Sequence, residues 1–165
     1  MGFHTLKDVL QEQLEDLHSA EAQLVVALPK MAQAAHHDGL REAFEHHLEE
    51  TRGHLRRVDE ALGELGVSMP TEECKAMIAE GDELMRKGGD PTAKDAALIG
   101  AAQRVEHYEI AAYGTARQLA DDCGYDSIKD QMDQTLDEES SADKLLTKIA
   151  TGGMFKAGIK QQAAS

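Results

Sequence analysis

The stretch LIGAAQRVEHYEIAAYGTARQL, Leu98 to Leu119, decides the fold. Its residues Leu98, Ala102, Val105, Ala112, Ala116 and Leu119 lie on a ladder of alternating steps of four and three. That spacing is the seam of a helix turned toward a core. The rung between Val105 and Ala112 is Glu109, a carboxylate in the middle of an apolar stripe.

The same interruption occurs twice more. One stripe reads Leu10, Leu14, Leu17, Glu21, Leu24, Leu28, Met31, and another reads Ile128, Met132, Thr135, Glu139, Ala142, Leu146, Ile149. A fourth stripe, Phe44, Leu48, Thr51, Leu55, Val58, Leu62, Leu65, has no acid of its own, but His47, Glu50 and His54 run beside it. Glu21, Glu50, Glu109 and Glu139 all fall near the middle of their helices, so a bundle would aim them at one layer.

The helix boundaries follow from capping and breaking residues. The first helix is expected from about Thr5 to His36, with Thr5 and Asp8 at capping-box spacing and a kink at Pro29. Asp38-Gly39 is expected to turn the chain into a second helix, Leu40 to Leu65, ended by Gly66 and Pro70. A short helix, Glu72 to Arg86, lies within the connection that follows. Pro91 then starts a third helix reaching Asp121, and a fourth spans Asp126 to Ala150. Short first and last links with one long central crossover are the connectivity of a ferritin-like four-helix bundle. The expected fold is thus all-α, with a bundle domain over residues 1–151 and a flexible tail over 152–165.

Composition agrees. The 165 residues contain no tryptophan and only 4% aromatics, which disfavours a β-sandwich. The net charge of −14 repels nucleic acid and anionic lipid, so neither is expected as a partner, and it suits recruitment of cations. Cys74 and Cys123 make no metal-binding spacing and are expected to be reduced thiols. The chain has neither an apolar run of membrane-spanning length nor a signal-peptide pattern at its start, which points to the cytoplasm.

The mid-stripe acids carry the functional reading. A buried carboxylate robbed of its partner costs roughly 3–5 kcal/mol. No lysine or arginine stands in the four stripes to neutralise these acids. Divalent cations solve the problem, because bridging carboxylates then serve as ligands. The residues around them have matching spacings: Glu106 lies three before Glu109, His54 four after Glu50 and Asp143 four after Glu139. Candidate metal ligands are therefore Glu21, Glu50, His54, Glu106, Glu109, Glu139 and Asp143. Tyr113 and His47 are expected to support ligands from behind. His36, His37 and His46 are expected in solvent. No residue is singled out as catalytic.

The segments SAEAQLVVALPKMAQAA (19–35), FEHHLEETRGHLRRVD (44–59), DAALIGAAQRVEHYEIAAYGT (95–115) and TLDEESSADKLL (135–146) resemble the YciE/YciF-type stress proteins of the ferritin-like superfamily. The resemblance implies a cytosolic bacterial protein, a dimer of bundles and a two-metal centre of iron or a related metal. The chain departs from the superfamily's Glu-x-x-His pattern. Gly53 stands where the second helix would carry that histidine, and the fourth helix offers Asp143 instead. A carboxylate-rich set is a harder one, which keeps manganese beside iron as the expected ion.

Two such metals could reduce dioxygen or peroxide, giving ferroxidase, peroxidase or catalase-like turnover. The alternatives are a non-catalytic metal-binding stress protein and an interaction module with structural metals. A DNA-coating protector is disfavoured, since the tail offers only Lys156 and Lys160 as basic residues.

Overall fold

A computed structural model describes residues 3–67, 85–86 and 89–152. The described residues form four long helices: α1 (Leu6–Ala34), α2 (Asp38–Leu65), α3 (Pro91–Cys123) and α4 (Asp126–Thr151). The expected short helix at Glu72–Arg86 lies almost wholly outside the described residues, as does the tail beyond Gly152.

Each helix begins and ends for a local reason. Thr5 caps α1 in a complete capping box: its hydroxyl accepts from the Asp8 N–H at 3.2 Å, and the Asp8 carboxylate accepts from the Thr5 N–H at 2.8 Å. Pro29 lies inside α1, which continues to Ala34. The turn into α2 differs from the sequence expectation. It falls at Ala35–His37, and Asp38 and Gly39 already belong to the first turn of α2.

The reason for the shift is a long-range carboxylate. Asp95, buried on α3, accepts from the backbone N–H groups of His36 and His37 at 2.9 and 2.7 Å, pulling those residues out of α1. Asp38, placed in the first turn, then complements the N-terminal end of the helix dipole. Asp90 caps α3 by accepting from the Ala93 N–H at 2.9 Å, with Pro91 in the first turn. α2 and α3 close on left-handed glycines, Gly66 (φ 78°) and Gly124 (φ 76°), a conformation in which a side chain would be strained.

α1 packs on α2 and α3 on α4; contacts of α1 with α3 and α2 with α4 join the two hairpins. Two apolar clusters fill the ends of this bundle. One gathers Leu24 and Leu28 of α1, Leu40 and Phe44 of α2, Leu98 of α3 and Leu146 of α4. The other gathers Leu14 and Leu17, Val58 and Leu62, Ala116 and Met132. The end of α2 and the start of α3 thus belong to opposite clusters. Between the clusters lies a layer that is polar.

Candidate metal centre

All four helices contribute to this layer. Glu21 occupies the α1 seam between Leu17 and Leu24, and Glu139 the α4 seam between Thr135 and Leu146. Glu106 and Glu109 are three residues apart on α3, so both project the same way. His47 and His54, two turns apart on α2, share a face. All six side chains are buried.

The donor atoms form two groups that share one member. Single atoms of His47, Glu106, Glu109 and Glu139 lie within 4.8 Å of one another, as do single atoms of Glu21, His54 and Glu139. His47 Nε2 is 3.4 Å from Glu106 Oε1 and 3.6 Å from Glu139 Oε2. His54 Nδ1 is 2.9 Å from Glu139 Oε1 and 3.3 Å from Glu21 Oε1. Glu139 therefore stands between the two histidines and belongs to both groups.

These contacts leave much hydrogen-bonding capacity unused. Glu21 Oε2, Glu106 Oε2, both carboxylate oxygens of Glu109 and of Glu139, His47 Nε2 and His54 Nδ1 are buried without a hydrogen bond. The short His54–Glu139 contact is an ion-pair approach, not an aligned hydrogen bond. Folded proteins rarely leave so many buried polar atoms unpaired in one place. Carboxylate oxygens with imidazole nitrogens are the donor set of first-row divalent metals, and their inward, unsatisfied atoms fit such ions.

The titration behaviour reflects crowding of like charges. Burial, then repulsion from Glu139, pushes Glu106 well above the usual carboxylate range. Burial, then Glu21, does the same to Glu109. Burial also raises Glu21, against the opposing pull of His54. Glu139 is lowered instead: burial pushes it upward, but His54 and His47 outweigh that push. Burial would lower His54, yet Glu139 and Glu21 overcome it and push the imidazole up to about 10. Without a metal, a protonated His54 thus supplies part of the missing positive charge.

Outside this ring the residues of the centre are held from behind. His54 Nε2 lies 2.9 Å from Glu138 Oε2, and Arg57 grips the same Glu138 carboxylate while its Nε donates to Thr135 Oγ1 at 2.9 Å. The Tyr113 hydroxyl donates to Glu21 Oε1 at 2.5 Å. His47 Nδ1 lies 3.1 Å from Glu50 Oε2, and His46 Nε2 lies 3.3 Å from Glu50 Oε1.

Set against the sequence expectations, Glu21, His54, Glu106, Glu109 and Glu139 come together. His47, expected behind a ligand, puts Nε2 among the donors. Glu50 sits at the rim with its side chain 22% exposed. Asp143 stands aside from the two donor groups, accepting from Gln103 Nε2 at 3.1 Å with His107 Nε2 3.3 Å away. Glu138 and Arg57 escaped the sequence reading. Their signals were the spacing of Arg57 three after His54 and the doubled acid Glu138-Glu139.

Comparison with known proteins places this arrangement. The model of the family described as "Domain of unknown function (DUF892)" matches residues 5–164. The chain belongs to the DUF892 family. It is similar to Protein YciF of Escherichia coli K12, 41% identical over 160 residues covering 94% of this chain and 96% of that protein. The crystal structure of the E. coli stress protein YciF superposes with a TM-score of 0.84 at 40% identity, covering 88% of this chain and 94% of that one. A structure of ferritin-like, diiron-carboxylate proteins from Bacillus anthracis superposes with a TM-score of 0.71 at 15% identity, covering 88% and 98%. That likeness establishes the ferritin-like bundle for this DUF892 member. Among the described residues no helix is long and apolar enough to cross a membrane.

Proposed function

We propose that the bundle binds two divalent metal ions, iron in first place and manganese in second, and serves stress chemistry with dioxygen, peroxide or iron itself. The observation that carries this reading is Glu139, buried and without a hydrogen bond, standing in both donor groups at once. Glu21 and His54 would hold one ion, His47, Glu106 and Glu109 the other, and Glu139 would serve both. Redox-active ions held there would supply the electrons that reduce dioxygen or peroxide.

The chain's own part is to bind, orient and exclude water. Glu138, gripped by Arg57, fixes the His54 ring with Nδ1 toward the centre, and Tyr113 fixes Glu21. The apolar clusters close the layer at both ends, which lowers the local dielectric and strengthens every charge interaction inside. A homodimer in the cytoplasm is part of the same proposal and rests on the resemblance to YciF-type proteins.

The test begins with Fe(II) loading under anaerobic conditions, followed by addition of dioxygen or peroxide in separate runs. Continued consumption of the oxidant supports an enzyme. One stoichiometric oxidation supports a non-catalytic iron handler. No retention of Fe(II) or Mn(II) contradicts both.

A further inference from the structure

The polar layer is not equally closed on all sides. Between α2 and α4 a cavity of about 100 Å³ opens, and His47, Glu106 and Glu50 line it. His46 also lines it, with 70% of its side chain exposed. Its other walls are largely apolar, with Ala43 from α2 and Ala142 from α4 the smallest of them.

The donors along this cavity form a continuous series from solvent to centre. His46 Nε2 is 3.3 Å from Glu50 Oε1, and Glu50 Oε2 is 3.1 Å from His47 Nδ1. His47 Nε2 is then 3.4 Å from Glu106 Oε1. At the inner end both His47 Nε2 and Glu106 Oε2 are buried and lack a hydrogen bond. Exposure falls along the series from His46 through Glu50 to the buried His47 and Glu106.

We propose that this cleft is the port through which divalent cations reach the centre. His46 and Glu50 are its outer donors, and Ala43 and Ala142 are the walls that set its width. The inference rests on the metal-binding reading above and adds the route. A bare divalent cation pays a prohibitive desolvation penalty in an apolar passage. A cation passed from donor to donor at 3.1–3.4 Å spacing exchanges waters for ligands one at a time. An uncharged molecule such as dioxygen needs no such series. The net charge of −14 raises the cation concentration at the mouth. Farther along the same α2–α4 face Arg57 and Gln134 both hold Glu138, whose carboxylate stands over the buried His54.

Co(II) is the probe, because its visible absorption reports binding without any turnover. Stopped-flow mixing with the metal-free full chain gives the uptake rate, and titration gives the endpoint. Ala142→Leu narrows the cleft and is expected to slow uptake at least about tenfold with the endpoint unchanged. His46→Ala removes an exposed donor that is no part of the core; about threefold slower uptake is expected, again at full endpoint. Both variants loading at the parent's rate would overturn the port. A parent chain that takes up no Co(II) would instead overturn the metal centre on which the port depends, so the two failures are distinct.

Discussion

His47 and His54 stand two turns apart on one face of α2, and each has a carboxylate behind it, but the two carboxylates are held differently. Glu138, behind His54, is gripped by Arg57 and by Gln134, which donates at 3.0 Å. Glu50, behind His47, has two imidazoles for partners, and the outer one is exposed. In the His54 half both His54 and Glu21 are wholly buried, with Tyr113 fixing Glu21 from the other side. The His47 half borders the cleft. One fold layer thus combines a rigid half, suited to retaining an ion, with an accessible half, suited to exchanging one.

Removing the shared residue should abolish the contrast altogether. Glu139→Ala is expected to lose metal from both halves, and with it the stabilisation of roughly 2.7 kcal/mol that an ion present at 100 times its dissociation constant confers. Elemental analysis and paired thermal melts with and without metal check this. Loss of one ion only would mean that Glu139 belongs to a single half.

Weakening the grip on one histidine should sharpen the contrast. Glu138→Gln is expected to lower affinity in the His54 half by about 10- to 100-fold, as loss of an outer partner of a metal-bound histidine does. Glu50→Gln, at a carboxylate whose partners are imidazoles and not a guanidinium, is expected to cost less. Competition with a chelator of known affinity ranks the two; equal losses would erase the distinction between the two halves.

Proton linkage gives a third test. Glu21, Glu106 and Glu109 are raised above the ordinary 4.5 in the folded state. Their contribution to stability is present below that value and lost as pH rises through their folded values. His54, raised to about 10 from 6.5, likewise contributes below 6.5 and loses its contribution as pH rises through about 10. Glu139, lowered, opposes them: its contribution is present above 4.5 and lost as pH falls. Urea melts of the metal-free protein should therefore show stability declining from about pH 4.5 upward on balance. Metal binding to the deprotonated carboxylates should release protons and reverse the trend. A metal-free protein that gains stability toward alkaline pH would contradict this reading of the layer.

The smallest effect is expected from Asp143→Asn. Its carboxylate is engaged by Gln103, with His107 close by, away from the donor groups, so metal stoichiometry should be unchanged and stability shifted within about 0.5 kcal/mol. Loss of an ion in this variant would extend the centre toward the outer end of the layer.

Much of this architecture was legible in the sequence because helical periodicity is local. Glu21, Glu109 and Glu139 interrupt their stripes at full seam positions, and a seam residue in a bundle has nowhere to point but inward. The carboxylates of Glu50 and Asp143 were harder to place, since each lies beside its stripe and its direction depends on rotamer and neighbours. His47 flanks the stripe too, and only the packing of α2 against α4 decides that it faces the donors. The α1–α2 turn shifted for a similar reason: Asp95, far away in the chain, supplies the carboxylate that holds the His36 and His37 backbone. Glu138 and Arg57 act across helices, and the spacings that put Arg57 near His54 and Glu138 beside Glu139 do not show that the two side chains meet.

Anomalous diffraction from crystals soaked in Mn(II) shows where in the bundle the ions bind. Two peaks are expected inside the bundle, one against Glu21 and His54, the other against His47, Glu106 and Glu109, with Glu139 reaching both. Peaks confined to the acidic surface, or none within the layer, would contradict the two-ion centre.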